Sequence, residues 1–249
     1  MLFNKEKKYL LPPVSGAGNY VRHVKLRVKL PENIILCPVA GLTETVEKKY
    51  KTKRVIVDGA PVYVFEKYNC AFATGFGIGA PALACTMEIL IALGAKNFIL
   101  TGYAGSLQKK INAGDIVICS GAVRDEGVSS CYIPPGHFSY PDKNLTAGLK
   151  SVFEKNKTAY HDGPTWTTDV IFRETAEEIK HYQNAGIYTV EMEAAAAFAI
   201  AKHYKTKCAA LFAVSDILAD MKWEPSFGHE KISAAMKTIL KTILEIFEK

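Results

Sequence analysis

Hydrophobic residues in this chain fall into two patterns, and the two alternate. Short blocks rich in β-branched, aromatic and aliphatic residues, closed off by Gly, Asn or Asp, read as strands over 33–39 (NIILCPV), 53–58 (KRVIVD), 60–66 (APVYVFE), 70–76 (CAFATGF), 97–103 (NFILTGY), 115–123 (DIVICSGAV), 186–191 (GIYTVE) and 208–216 (CAALFAVSD). Longer stretches with apolar positions at helical spacing read as helices over 80–93, 142–155, 174–184, 193–204 and 229–247. The last of these carries ISAAMKTILKTILEIF, the pattern of an amphipathic closing helix. Asp58-Gly59, between two strand blocks, predicts a tight hairpin. Strands that alternate with helices predict an α/β fold, with a central mixed or mostly parallel sheet covered on both faces.

Composition narrows this picture without redirecting it. A chain of 249 residues fits one large α/β domain or two small ones, and no repeat, low-complexity segment or linker divides it. No apolar run reaches the ~18 residues of a membrane span. The opening MLFNKEKKYLLPP has lysines but no apolar core of a signal peptide, so a cytoplasmic location is expected. The net charge is +6, but only five of the 31 basic residues are Arg and the lysines are scattered. A nucleic-acid surface would cluster Arg with aromatics, so no nucleic-acid partner is expected. The six cysteines form no C-x-x-C pair, and buried free thiols are expected, with no metal site.

The unusual chemistry sits where strands end. Ligands of open α/β sheets bind outside the carboxyl ends of strands. Four such ends stand out: GFGIGAPA (75–82), TGYAGSL (101–107), VEME (190–193) and VSD (214–216). Each has a plain structural explanation. The glycines suit tight turns, and Asp216 is a natural helix cap. A Glu at a helix start is favoured by the macrodipole, by a few tenths of a kcal/mol. That explains one Glu; it does not explain both Glu191 and Glu193 in so apolar a segment, where an unpaired carboxylate is costly. The Gly-rich turn offers free backbone amides to an anion at a helix N-terminus, but it is neither a Walker loop nor G-x-G-x-x-G.

In their order along the chain these motifs resemble the nucleoside phosphorylase and nucleosidase superfamily: bacterial-type purine nucleoside phosphorylase, uridine phosphorylase and methylthioadenosine/adenosylhomocysteine nucleosidase. The resemblance runs from about Asn33 to Phe247 and is strongest in GFGIGAPALACTMEILIALGAKNFILTGYAGSLQKKINAGDIVI and YTVEMEAAAAFAIAKHY. It implies a single domain with a strongly curved sheet over 31–249, preceded by an N-terminal extension over 1–30. It also implies a small-molecule nucleoside as ligand, no cofactor beyond phosphate as a possible co-substrate, and a homo-oligomer, either a dimer or a trimer of dimers. In that family the second Glu of M-E accepts hydrogen bonds from the ribose 2′- and 3′-hydroxyls while the Met packs on the sugar, roles that fall on Glu193 and Met192, beside Glu191. Asp216, next to Ser215, matches the acid that protonates a purine at N7. Uridine phosphorylases generally lack it, which implies a purine leaving group. Tyr103, Ala104 and Gly105 would lie along the nucleoside. Ile171 or Phe172 matches the residue packed on base or sugar, and Arg173 would reach toward the base.

The phosphate side departs from the pattern. Phosphorylases of the family clamp phosphate with an Arg in a GDPxR loop, an Arg in RxGS/T, and an Arg lent by a neighbouring subunit. Here Thr43 and Leu100 stand at the first two positions, and Tyr103 at the Ser/Thr. What remains for phosphate is the backbone around Gly77 and Gly79, with Arg54 or Lys53 as the lent cation. Nucleosidases of the family attack with water activated by a Glu in the first loop, for which Glu44 is the candidate; its plain reading is an exposed first-turn helix Glu. Three functions are therefore expected in descending order: phosphorolysis with an atypical phosphate site, hydrolysis, and nucleoside binding without turnover.

Overall fold

The block NIILC forms β1 (Asn33–Cys37), buried from Ile34 onward. It is paired in parallel on both sides, with β4 (Cys70–Thr74) and β5 (Asn97–Ser106). A strand with no free edge and two covered faces has no polar side, hence the unbroken apolar run. The computed structural model describes residues 7–248; residues 1–6 of the expected N-terminal extension, and Lys249, lie outside the described residues.

β2 (Thr52–Val57) and β3 (Ala60–Phe65) form the expected hairpin, with Val57 opposite Ala60. Its two turn residues, Asp58 and Gly59, have φ of 49° and 82°, the positive values that a two-residue turn matched to strand twist requires. The hairpin continues through β4 to β1 and β5 as an open arm of the sheet.

Beyond β5 the sheet closes on itself. β5 pairs in parallel with β10 (Lys207–Ile217), which runs antiparallel to β6 (Ile116–Asp125). β6 pairs with β8 (His161–Thr168), β8 with β9 (Thr189–Glu191), and β9 returns antiparallel to β5. The result is the mixed, curved sheet that the alternation and the resemblance imply. β8 has no forerunner in the hydrophobic pattern. Its sequence, HDGPTWTT, opens on His-Asp-Gly-Pro, which reads as a turn, yet both its edges are paired. Gly163 is required there, because a Cβ would come within 2.2 Å of the Tyr188 ring. Two further strands are minimal: β7 (Phe138–Ser139) beside β6, and β11 (Glu224–Pro225) beside β10.

α3 (Ala80–Ala92) and α6 (Ala194–Tyr204) cover one face, with α1 (Ala17–His23) from the N-terminal extension laid against α3. α6 is buried all round from Ala194 to Ala201, as an evenly apolar helix must be. α2 (Thr43–Lys49), α4 (Lys143–Lys155) and α7 (Glu230–Ile246) supply the opposite face, and Ile239, Leu240 and Ile243 of α7 are fully buried against Ile99 and Leu211. α5 (Ala176–Asn184) opens with a capping box between Thr175 and Glu178, satisfying two otherwise orphaned amides. All six cysteines are free, but the expectation that they are buried needs correction: Cys85 is exposed on α3 and Cys131 is half-buried. Among the described residues no helix is long and apolar enough to cross a membrane.

Candidate active site

The ends of β5, β9 and β10 meet the loop after β1 around a cavity of about 450 Å³. The β9–α6 junction answers why two carboxylates share an apolar segment. Glu191 is the last residue of β9, and its Oε2 accepts hydrogen bonds from the backbone N–H of Glu193 and Ala194, both at 2.7 Å. Its Oε1 accepts from the Thr167 hydroxyl at 2.5 Å. Glu191 therefore does the capping of α6, covering amides that have no partner inside the helix. Glu193 is spared that task. Its Oε1 accepts from the Gly79 N–H at 2.5 Å, across 114 residues of chain. Gly79 holds φ at 92°, a conformation in which any other side chain is strained. The carboxylate is thus aimed by a turn that only glycine fits.

Both acids are buried, with relative exposures of 4% for Glu191 and 7% for Glu193. Burial pushes both pKa values up, and the charge of Glu193 pushes Glu191 further; the hydrogen bonds from Thr167 and the backbone amides oppose this. Met192 lies between them on the cavity wall.

At the end of β10 the ladder with β5 slips by one residue. Val214 pairs with Ala104 and Asp216 with Gly105, leaving Ser215 as the extra residue of a bulge. Asp216 accepts at both oxygens, from the Ser215 hydroxyl at 2.6 Å and from the Trp223 indole N–H at 3.0 Å. Gly105 makes room for this: a Cβ there would lie 2.6 Å from Leu218 Cδ1 and 3.1 Å from Asp216 Oδ2.

The remaining wall is apolar. Pro38, Val39, Leu100, Ile78 and Phe227 line it, with Leu100 fully buried. Tyr103 reaches from β5 to the loop after β1, where a Cβ on Gly41 would come within 2.3 Å of its oxygen. Its ring meets Phe227 edge-on at 6.3 Å. The Thr101 hydroxyl, beside them, is buried with no hydrogen-bond partner among the described residues.

Of the residues expected from sequence, the cavity gathers Glu191, Met192, Glu193, Tyr103, Ala104, Gly105, Ile171, Phe172, Ser215 and Asp216. Ile171 and Phe172 stand at its rim in a short 3-10 turn, Phe172 at 92% exposure. Five expected residues do not line it. Arg173 faces a neighbouring polar cleft with Asp125, Thr168, Asp169 and Glu178. Glu44 is turned out on the first turn of α2, where its carboxylate pairs with Lys48 at 2.5 Å and its side chain is 77% exposed. An i,i+4 partner in solvent holds it there. Arg54 is exposed on β2, against Tyr63 of the hairpin. Gly77 and Gly79 shape the turn before α3, and the Gly79 amide is already engaged by Glu193. Thr101, Glu174, Trp223 and Phe227 line the cavity without a sequence signal that marked them. Only the Trp in DMKWEPSFG, a large aromatic in a polar loop just after a strand-end Asp, could have been read as one.

The model of the phosphorylase superfamily matches residues 33–247. A guanosine phosphorylase of Halorubrum lacusprofundi is 32% identical over 138 residues, covering 55% of this chain and 57% of that protein. A purine nucleoside phosphorylase of Plasmodium vivax is 27% identical over 238 residues, covering 92% of this chain and 96% of its own length. The crystal structure of a purine nucleoside phosphorylase of Toxoplasma gondii shares the fold with a TM-score of 0.79 at 19% identity, over 88% of this chain and 91% of that one. The family model spans every strand from β1 to β11 and each of the strand ends that build the cavity, and on that ground the chain belongs to the phosphorylase superfamily.

Proposed function

We propose that this chain cleaves the N-glycosidic bond of a purine nucleoside, with inorganic phosphate as the attacking co-substrate and no other cofactor. The observation that carries the reading is the placement of two buried acids, Glu193 and Asp216, from separate strand ends on one cavity. Glu193 is suited to accept from two ribose hydroxyls and to stabilise positive charge as the sugar becomes oxocarbenium-like, an interaction strongest in the transition state. Asp216, once protonated, donates to N7, so that the base departs neutral. Met192 packs on the sugar. Tyr103, Ala104 and Gly105 line the path of the nucleoside, and Ile171 and Phe172 close its rim. The names of the relatives from Halorubrum and Plasmodium agree with a purine substrate.

Phosphate is the weak partner in this reading. Thr43 and Leu100 replace two cations, and the Gly79 amide is engaged by Glu193. Each absent Arg contact removes about 1.5–3 kcal/mol, so phosphate affinity falls by at least ~10²-fold. The active unit is a homo-oligomer, a dimer or a trimer of dimers, in which exposed Arg54 is available to a neighbour's cavity. Residues 31–249 act as one cytoplasmic catalytic domain with 1–30 as an N-terminal extension, whose α1 packs on α3.

Hydrolysis is a second reading, favoured by Leu100 and Tyr103 on the wall where a phosphate clamp would stand. The solvent-facing Glu44 gives it no water-activating base. The deciding experiment measures base release from a nucleoside panel with and without phosphate, quantifying ribose and ribose 1-phosphate separately. Ribose 1-phosphate formed only at high phosphate is expected. Free ribose at a rate indifferent to phosphate would replace phosphorolysis with hydrolysis, and no release from any nucleoside would leave a binding protein.

A further inference from the structure

Asp216 poses a difficulty for its own role. It must carry a proton to give one to the base, yet both its oxygens already accept hydrogen bonds, from the Ser215 hydroxyl and the Trp223 indole. Each oxygen is thus already turned to a donor, and a neighbouring group is needed to supply the proton.

Glu174 lines the same cavity. It follows the 3-10 turn Ile171–Arg173 and directly precedes Thr175, the N-cap of α5. Unlike Glu191, Glu193 and Asp216, it accepts no hydrogen bond among the described residues. The charges acting on it are Asp216 on β10 and Glu178 on α5, both acidic, while Arg173 beside it faces the adjoining cleft with Glu178. Glu191 and Glu193 add two more acids to the cavity wall. Two carboxylates that share one cavity do not both ionise at little cost; one retains a proton. Glu174, which accepts from no donor among the described residues, is the one free to hold it. Burial, with the charges of Asp216 and Glu178, raises Glu174 to about 7.

We propose that Glu174 and Asp216 form a carboxyl–carboxylate pair at the leaving-group end of the cavity, Glu174 holding the proton that Asp216 delivers to the departing base. This rests on reading the cavity as a purine nucleoside site. As the C1′–N9 bond breaks, its electron pair goes to the base. The proton of Glu174 passes to Asp216, directly or through one water, and Asp216 delivers it to N7. The attacking hydrogen phosphate bonds to C1′ through oxygen and releases one proton, which returns Glu174 to the carboxyl form. One proton is consumed and one released. Glu174 thus acts through Asp216 and is a positioning residue of the acid. Trp223 keeps Asp216 oriented between transfers.

The test compares an ordinary purine nucleoside with its N7-methylated analogue, whose base leaves neutral without protonation. For the ordinary substrate, kcat/KM of the native enzyme should fall as pH rises through about 7, because the carboxyl form of Glu174 is lost on that side. Glu174→Gln should lower kcat/KM at pH 6 by about tenfold or more and abolish that limb, since a general acid contributes ~10²–10⁴-fold. On the N7-methyl substrate the same variant should change by less than about threefold, and neither protein should show the limb. Glu174→Asp should restore the limb in part, and it takes the place of the Gln variant if that one fails to fold. Equal losses on both substrates, or a limb that survives Glu174→Gln, would overturn the pairing while leaving base cleavage intact. Absence of base release from either substrate by the native protein would overturn the underlying reading instead.

Discussion

The two ends of the cavity are built from different materials. Under β9 and β10, each of the acids Glu191, Glu193 and Asp216 is buried and bonded to at least one named donor. Under β1 and β5, the wall is Pro38, Val39, Leu100 and the ring of Tyr103, with the Thr101 hydroxyl without a partner among the described residues. A buried charge is tolerated only where its hydrogen bonds are in place, so the first end is fixed in advance for a polar ligand. Among the described residues the second end has no cation on its wall and little to offer a dianion. The contrast teaches that one pocket can join an end preset with buried, bonded carboxylates to an end walled by apolar side chains.

The largest effects belong to the acid end. Asp216→Asn should reduce purine nucleoside cleavage by ~10²–10⁴-fold, the range for a lost general acid, and far less for a nitrophenyl riboside, whose leaving group needs no proton. Equal losses in parallel assays would make Asp216 a structural acid and blur the contrast between the ends. Glu193→Gln keeps size and removes charge. A fall in turnover of ~10²-fold is expected, equivalent to about 3 kcal/mol for a charged hydrogen bond. Unchanged turnover in a folded variant would reduce Glu193 to a partner of Gly79.

Smaller effects belong to the apolar end. Leu100→Arg should strengthen phosphate binding by less than about tenfold, below the full ~1.5–3 kcal/mol of a charge-assisted contact, because Tyr103 fills the neighbouring space over Gly41. Tyr103→Ser combined with it should give more, as read by phosphate titration of base release. Tight phosphate saturation in the native protein would show that the chain has a clamp of another kind. Smallest is Thr101→Val. Removing a buried hydroxyl without a partner while keeping its shape should raise stability by about 1 kcal/mol in denaturant unfolding. A loss of substrate affinity in the same variant would show that this hydroxyl is met by the ligand.

The acid end was the more legible of the two, and the reason is positional. Its residues follow apolar blocks that read as strands, so Glu193 and Asp216 could be placed at strand ends before any contact was known. The division of labour between Glu191 and Glu193 was not legible, because it depends on Thr167 and Gly79, which are 24 and 114 residues away from their partners. Trp223 and Glu174 were missed for related causes: Trp223 lies outside every periodic run, Glu174 opens one as an ordinary first-turn acid, and each reaches the cavity by the path of its loop. β8 was missed because its turn-like head, HDGP, hides the strand-favouring TWTT behind it, and pairing on both edges overrides that head. Glu44 shows the reverse error of proximity. It lies beside the first loop in sequence, but α2 turns it outward to Lys48.

The bulge at Ser215 has a consequence for how such a site changes over time. Along a strand, side chains face alternate sides, so Asp216 owes its side of the sheet to the number of residues before it as much as to its own identity. Ser215 acts as a spatial reading frame. Deleting it would leave every other letter of the chain intact and still turn the acid away from the cavity, whereas many substitutions nearby would leave the acid where it is. Families that carry their chemistry on a bulged strand should therefore tolerate exchange at the flanking positions far better than a single-residue insertion or deletion between Val214 and Asp216.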